Sequence, residues 1–311
     1  MTKIFFCTDI HGSSKCWRKV VSAGDFYKVD HVVLGGDLTG KAVIPLIRQS
    51  DGTHTSNFLG RKWTLKNQKE IEDHEKLIVD AGLYFYEGNP EDLEELKEKK
   101  ERVDQIFREK VIERVKNWME IADATLKAKK RDIIVCPGND DHDFIDPILK
   151  ESDVIINAEG KVLDLNGRHE MLNCGWSNPT PWSTPRECSE EDLSKRIEDM
   201  VSQTRNLEKS IFNLHAPPFD SGLDTGPKLK EKLEVSGGET EPVGSKSVSE
   251  AIRKHQPRLG LHGHIHEALG KRQIGKTWCV NPGSNYTEGI LNGVIVALDE
   301  KEIKSIVFTS G

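Results

Sequence analysis

Most apolar residues of this chain fall in short continuous runs bounded by turn formers. Five such runs are KIFFCT (3–8), HVVLGG (31–36), DIIVCPG (132–138), SIFNLH (210–215) and RLGLHG (258–263), each of strand length. Thr277–Val280, Gly293–Leu298 and Ile303–Phe308 read as later strands. The stretch from Thr39 to Gly60 alternates around Asp51-Gly52 and predicts a β-hairpin. Val162–Leu165 and Glu170–Cys174 predict a second hairpin, turned by Asn166-Gly167. Helical periodicity predicts helices over Ser13–Ala23, with Ser13 as N-cap and Gly24 as the stop, over Glu70–Ala81 before Gly82, and over Ser247–His255. A further helix starts at Ser189, where Glu190, Glu191 and Asp192 favour its positive N-terminal end. Helices set between strands point to an α/β fold with two sheets.

Residues 91–131 follow another rule. Glu91 to Arg131 hold twelve basic and eleven acidic residues. Leu93, Leu96, Val103, Phe107, Val111, Val115, Trp118, Ala122 and Leu126 recur at spacings of three, four or seven. That is one apolar stripe on one long charged helix, an insertion in the pattern. The plain expectation is a solvated helix packed by its stripe onto the domain. The alternative is a lid or a homodimer contact through 91–131.

Composition narrows the class. The 311 residues suffice for one large domain, and 1–311 is read as one. Hydrophobic residues make up 36% and charged residues 31%, and no apolar run approaches the ~20 residues of a membrane span. The N-terminus starts a strand and carries a candidate ligand at Asp9, so a cleaved leader there would destroy the site. The net charge of −7 argues against a broad nucleic-acid surface, though not against a small nucleotide. Six cysteines without a C-x-x-C pair read as the reduced, buried thiols of a cytoplasmic protein.

The chemistry sits just past the apolar runs. Asp9 and His11 follow the first, Asp37 the second, Asn139 the third, His215 the fourth, and His264 and His266 the fifth. Asp-x-His and His-x-His place both side chains on one face if the strand continues through them. Seven oxygen and nitrogen donors at strand ends would converge on one rim and hold two divalent ions, a hydrolytic arrangement. Gly35-Gly36 permit close backbone approach beside Asp37. His262 shares the parity of His264 and reads as a support rather than a ligand.

The ordered set D-x-H, G-G-D, G-N-x-D, H-A-P-P and G-H-x-H resembles the calcineurin-like metallophosphoesterase superfamily. GWSNPTPWSTPRE, LHAPPFDSGLDTGP, LHGHIHEALG and VNPGSNYTEG resemble its branch of phosphoesterases related to cyclic-nucleotide phosphodiesterases. The resemblance spans residues 3 to 308. It implies a four-layer αββα sandwich, which periodicity alone does not give. It implies a first ion on Asp9, His11, Asp37 and His266, and a second on Asp37, Asn139, His215 and His264. A hydroxide bridging the ions would attack phosphorus in line. Mn, Fe or Zn would suit these ligands equally. The expected partner is a small phosphate ester, with a nucleotide among the candidates.

One position departs from the pattern. Many relatives carry histidine directly after the asparagine, where it helps bind phosphate and protonates the leaving group. Here that residue is Asp140. A carboxylate repels a phosphate dianion more than a diester's single charge, which favours a phosphodiesterase over a phosphomonoesterase. His142 is the candidate replacement acid. Trp176, Trp182 and Arg186 lie in the proline-rich loop, where a tryptophan would stack a nucleobase and Arg186 would hold a phosphate. The competing reading is a non-catalytic or weakly catalytic protein-interaction scaffold on the same fold. All seven ligand positions hold competent residues, which weighs against it.

Overall fold

The computed structural model describes residues 1–229 and 235–311. Two six-stranded sheets form its centre. The first runs β18 (Ile303–Ser310), β17 (Asn292–Leu298), β1 (Thr2–Cys7), β2 (His31–Leu34), β7 (Ile133–Val135), β8 (Ile155–Asn157). The second runs β15 (Gly270–Ile274), β16 (Thr277–Asn281), β14 (Leu259–Leu261), β11 (Ile211–Leu214), β10 (His169–Cys174), β9 (Lys161–Leu165). Strands β1, β2, β7 and β8 are mutually parallel, as are β10, β11, β14 and β16.

Side-chain alternation sorts each strand between two cores. Ile4, Phe6, Val33 and Ile134 meet Met171, Ile211, Leu259 and Val280 between the sheets. On the outer face of the first sheet, Phe5, Cys7, Val32 and Leu34 pack against α1 (Ser14–Phe26) and α4 (Lys100–Leu126). On the outer face of the second, Leu172, Phe212 and Leu214 pack against α6 (Glu190–Gln203) and α7 (Lys246–His255). The layers are therefore helix, sheet, sheet, helix, as the resemblance implied. Strand runs apolar on both parities follow from burial of both faces.

A smaller sheet in the order β5 (Arg61–Leu65), β4 (His54–Phe58), β3 (Val43–Arg48), β6 (Tyr84–Gly88) stands beside this sandwich, with α2 (Gln68–Asp80) on its own apolar cluster. The expected hairpin is β3–β4, extended by β5 and flanked by a parallel β6. A single-turn helix, α5 (Asp146–Leu149), follows β7, and an antiparallel ribbon of β12 (Thr225–Leu229) and β13 (Val235–Pro242) follows β11.

The long-helix expectation needs correction. The segment forms two helices, α3 (Pro90–Glu98) and α4, broken at Lys99 with φ −115° and ψ 87°. Asn89 caps α3 and Asp92 caps back, with Pro90 in the first turn. The gap of seven between Leu96 and Val103 leaves the charged run at 97–102 without an apolar anchor, and the break falls there. The later part of the α4 stripe is consumed within the chain, since Val111, Val115, Trp118, Ala122 and Leu126 are buried, whereas Val103 near its start is exposed. Trp118 stacks on Trp17 with ring centroids 4.9 Å apart. Helix α1 also runs past Gly24, to Phe26, because Gly24 packs against Val32 and Arg131 rather than turning the chain.

Candidate metal centre

The parallel strands of both sheets deliver their C-terminal ends to one rim, the usual place for a site in such a fold. Asp9 and His11 follow β1, Asp37 follows β2, Asn139 follows β7, His215 follows β11, and His264 and His266 follow β14. The loops are stitched to one another by main-chain hydrogen bonds. Asp9 donates to Gly36 at 2.9 Å, His11 to Asp37 at 2.9 Å, and Gly263 to His215 at 2.9 Å.

The expected strand alternation is not what brings the pairs together. Each parent strand has ended before Asp9 and before His264. Asp9 (φ 54°), His11 (φ 37°), Asp37 (φ 51°) and His264 (φ 67°) all adopt left-handed backbone. Such conformations are costly for residues with a β-carbon and persist where surroundings impose them. Turns, not pleats, aim these side chains. Gly36 explains its own identity: a β-carbon there would lie 2.1 Å from His215 Nδ1.

Among the described residues, two donor groups carry the expected ligands, Asp9–His11–His266 and Asp37–His215–His264, and a third, His11–Asp37–Asp140, overlaps them. His11 Nε2 and His266 Nε2 are 2.9 Å apart. Asp37 Oδ2 lies 3.6 Å from His11 Nε2 and 3.3 Å from His215 Nε2, so this carboxylate reaches both groups. Asn139 Oδ1 sits 3.0 Å from His215 Nε2. Its amide nitrogen donates to Thr184 Oγ1 at 2.8 Å, which turns the carbonyl oxygen toward the cluster. Asp9, His11, Asp37, Asn139 and His215 are all at most 2% exposed.

The two carboxylates of this pocket are ionised, and its four imidazoles divide between neutral and protonated. Burial pushes Asp9 up, but the hydrogen bond from His266 and the charge of His215 outweigh it, leaving about 2. Burial opposes Asp37 as well, yet His215 holds it well below the carboxylate range. Burial drives His11 down to about 3 and His264 to about 4, so their rings are neutral with lone pairs free. Burial would also lower His215, but Asp37 raises it to about 9. His11 and His264 thus already present neutral rings to a metal, whereas His215 holds a proton that an incoming ion would displace. Among the described residues, His11 Nδ1 has no hydrogen-bond partner in its buried position. The donor set fits divalent metal ions.

The calcineurin-like phosphoesterase family model matches residues 2–268. The chain belongs to the calcineurin-like phosphoesterase family. An uncharacterized protein of Methanocaldococcus jannaschii, MJ1162, is 30% identical over 154 residues, which cover 49% of this chain and 63% of that relative. The matched region thus spans less than two thirds of the curated relative. The crystal structure of TT1561 of Thermus thermophilus superposes with a TM-score of 0.55 at 13% identity. It covers 99% of this chain and 98% of that one, a likeness of fold.

Around the donors, the chain places several residues with other tasks. Asp140 joins the cluster rim: its amide donates to Asp37 Oδ1 at 3.0 Å, and its carboxylate lies 3.7 Å from His11 Nδ1. Lys41 Nζ pairs with that carboxylate at 2.6 Å. Burial and the neighbouring Asp37 raise Asp140 to about 7 despite Lys41. Asp141 is fully buried and accepts hydrogen bonds from the backbones of Leu38, Thr39 and Gly138. It therefore clamps the Asp37 loop to the Asn139 loop.

His142 is not brought into the donor groups. Its ring stacks on Phe144, with centroids 5.0 Å apart. Arg186 is corrected from phosphate binder to clamp. It is 5% exposed, and its guanidinium donates to the carbonyls of Asp141 and His142 and to Asp146. His262 is buried with Nδ1 2.8 Å from the Leu214 carbonyl, outside the donor groups.

Sequence reading missed Lys41, Thr184 and Tyr286, whose ring centroid lies 4.7 Å from that of His11. A signal existed for Thr184, because a ligating asparagine needs an acceptor for its amide. None existed for Lys41, whose partner Asp140 is far along the chain. Among the described residues, no helix is long and apolar enough to cross a membrane, and all six cysteines are free.

Proposed function

We propose that this protein is a two-metal phosphodiesterase acting on small phosphate esters. The observation that carries the reading is Asp37, a buried carboxylate within reach of both donor groups. Asp9, His11, Asp37 and His266 would hold one ion, and Asp37, Asn139, His215 and His264 the other. When bound, such ions supply a water of lowered pKa and positive charge beside the phosphoryl oxygens. Mn²⁺, Fe or Zn²⁺ are all compatible with this donor set. The chain's own contribution is to orient. Thr184 fixes which end of the Asn139 amide faces inward. Asp141 sets the distance between the second and third loops. The left-handed turns hold Asp9, Asp37 and His264 in place before any substrate arrives, so binding energy is not spent on ordering them.

Substrate preference follows from Asp140 and Lys41. The ammonium at 2.6 Å offsets the Asp140 carboxylate, leaving a rim close to neutral where many relatives carry a histidine. Compared with a histidine cation there, this rim gives up attraction for phosphate oxygens, a loss that weighs more on a dianionic monoester than on a singly charged diester. We read 1–311 as one domain, since β17 and β18 complete the sheet that β1 begins. A cytoplasmic location agrees with the free cysteines. Any homodimer contact through 91–131 would fall to its first part, where α3 buries no residue and Val103 is exposed, because the later α4 stripe is spent inside the chain.

The test is hydrolysis of bis-p-nitrophenyl phosphate against p-nitrophenyl phosphate by Mn²⁺-reloaded protein. Diester cleavage in excess of monoester cleavage, abolished in Asp37→Ala, is the expected result. Faster monoester cleavage would reverse the substrate assignment.

A further inference from the structure

A cavity of about 660 Å³ opens beside the metal centre, lined by His142, Trp176, Trp182, Thr184, Pro185 and Arg186. That volume lies in the range of small-ligand sites. Its wall is one hydrogen bond from the donors: Thr184 Oγ1 receives the Asn139 amide, and the Arg186 main-chain nitrogen donates to the Asn139 carbonyl at 3.0 Å. The loop that forms it is built around Glu187, whose carboxylate accepts from the backbones of Thr180 and Thr184 at 3.0 and 2.9 Å and from both their hydroxyls. This anchored loop holds Trp182 62% exposed at its tip. Among the described residues Trp182 has neither an aromatic nor a cationic partner, whereas Trp176 already carries Arg196 at 3.9 Å from its ring. Ser183, next to Trp182, takes left-handed backbone with φ 52°. Unlike the other exposed apolar side chains, this ring is held by an anchored loop on the wall of a cavity that adjoins the donor groups.

We infer that Trp182 forms, with the cavity behind it, a subsite for a flat aromatic ring carried by the phosphate ester. The inference deepens the phosphodiesterase reading and rests on it. Two sources share this chemistry, a nucleobase and an aryl group. Stacking on one indole supplies affinity without base-specific hydrogen bonding, so the subsite selects for a ring rather than for a particular base.

Calorimetric titration of Mn²⁺-loaded protein with adenosine 5′-monophosphate, phenyl phosphate and methyl phosphate separates the cases. At least one aromatic ester should bind about tenfold or more tightly than methyl phosphate, the scale of a single base–aromatic stack. Trp182→Ala should remove that preference, and Trp182→Phe should retain most of it. Preference for the nucleotide alone identifies a nucleobase, and preference for both esters identifies a general ring site. Equal binding of all three by the wild type, or a preference that survives in Trp182→Ala, overturns the subsite. The phosphodiesterase reading fails separately: a Trp182-dependent preference in a protein that cleaves no diester keeps the subsite and removes the reaction.

Discussion

Single side chains decide the chemistry of this site, and two of them test it directly. Thr184→Val keeps the size of the side chain and removes the hydroxyl that accepts from Asn139 and donates to Glu187. Losing such an outer partner typically costs about 10–100-fold in metal affinity or activity, and metal titration of the variant measures it. Asp140→His installs the residue that many relatives carry and releases Lys41. It should raise the ratio of p-nitrophenyl phosphate to bis-p-nitrophenyl phosphate hydrolysis, and an unchanged ratio would detach substrate preference from this position. At this scale the sequence was a good guide to identity and a poor one to geometry. The donor types and their order past the apolar runs were legible. Their convergence depends on left-handed turns at Asp9, His11, Asp37 and His264, which residue types with a β-carbon do not announce. Lys41 stayed hidden because its partner is distant in the chain.

Among the elements, α4 shows how a charged sequence can be structural. Trp118 is fully buried, stacks on Trp17 and donates to Ser14 Oγ at 3.2 Å. Trp118→Ala should therefore destabilise the protein by about 3–5 kcal/mol in urea unfolding. Val103→Ala, on the exposed part of the same helix, should stay within about 0.5 kcal/mol. The smaller sheet carries a pH dependence of its own. Burial, then the hydrogen bond and charge of Glu87, raise Glu75 from 4.5 to about 7. A carboxyl whose folded pKa is raised favours the folded state below its unfolded value and loses that contribution as pH rises through the folded value. Stability should thus fall between about pH 4.5 and 7 through this pair, and Glu75→Gln should flatten that slope in thermal melts. Periodicity located α4 and missed its break from α3, because a spacing of seven reads the same through a kink as through a straight helix. Short strands such as β8, β15 and β6 were missed because they lack runs long enough to stand out from loops.

For the molecule as a whole, the layered order explains why one rim can hold chemistry from residues 9 to 266. Parallel strands in two sheets end at the same level, and the core between them fixes their relative height. Sequence showed an α/β fold; only the resemblance to known phosphoesterases supplied the stacking of the layers, because no local pattern encodes which sheet faces which. Ions bound by residues of both sheets link the halves, so occupancy should stabilise the fold by mass action. Thermal melts should rise with added Mn²⁺ in the wild type and much less in Asp37→Ala. The most direct test follows diester hydrolysis while Mn²⁺ is titrated into metal-stripped protein. No activity is expected without metal, then a rise that saturates at two ions per chain, and none at any metal level in Asp37→Ala. Full activity of the stripped protein, or activity in the Asp37→Ala variant equal to wild type, would contradict the two-metal reading.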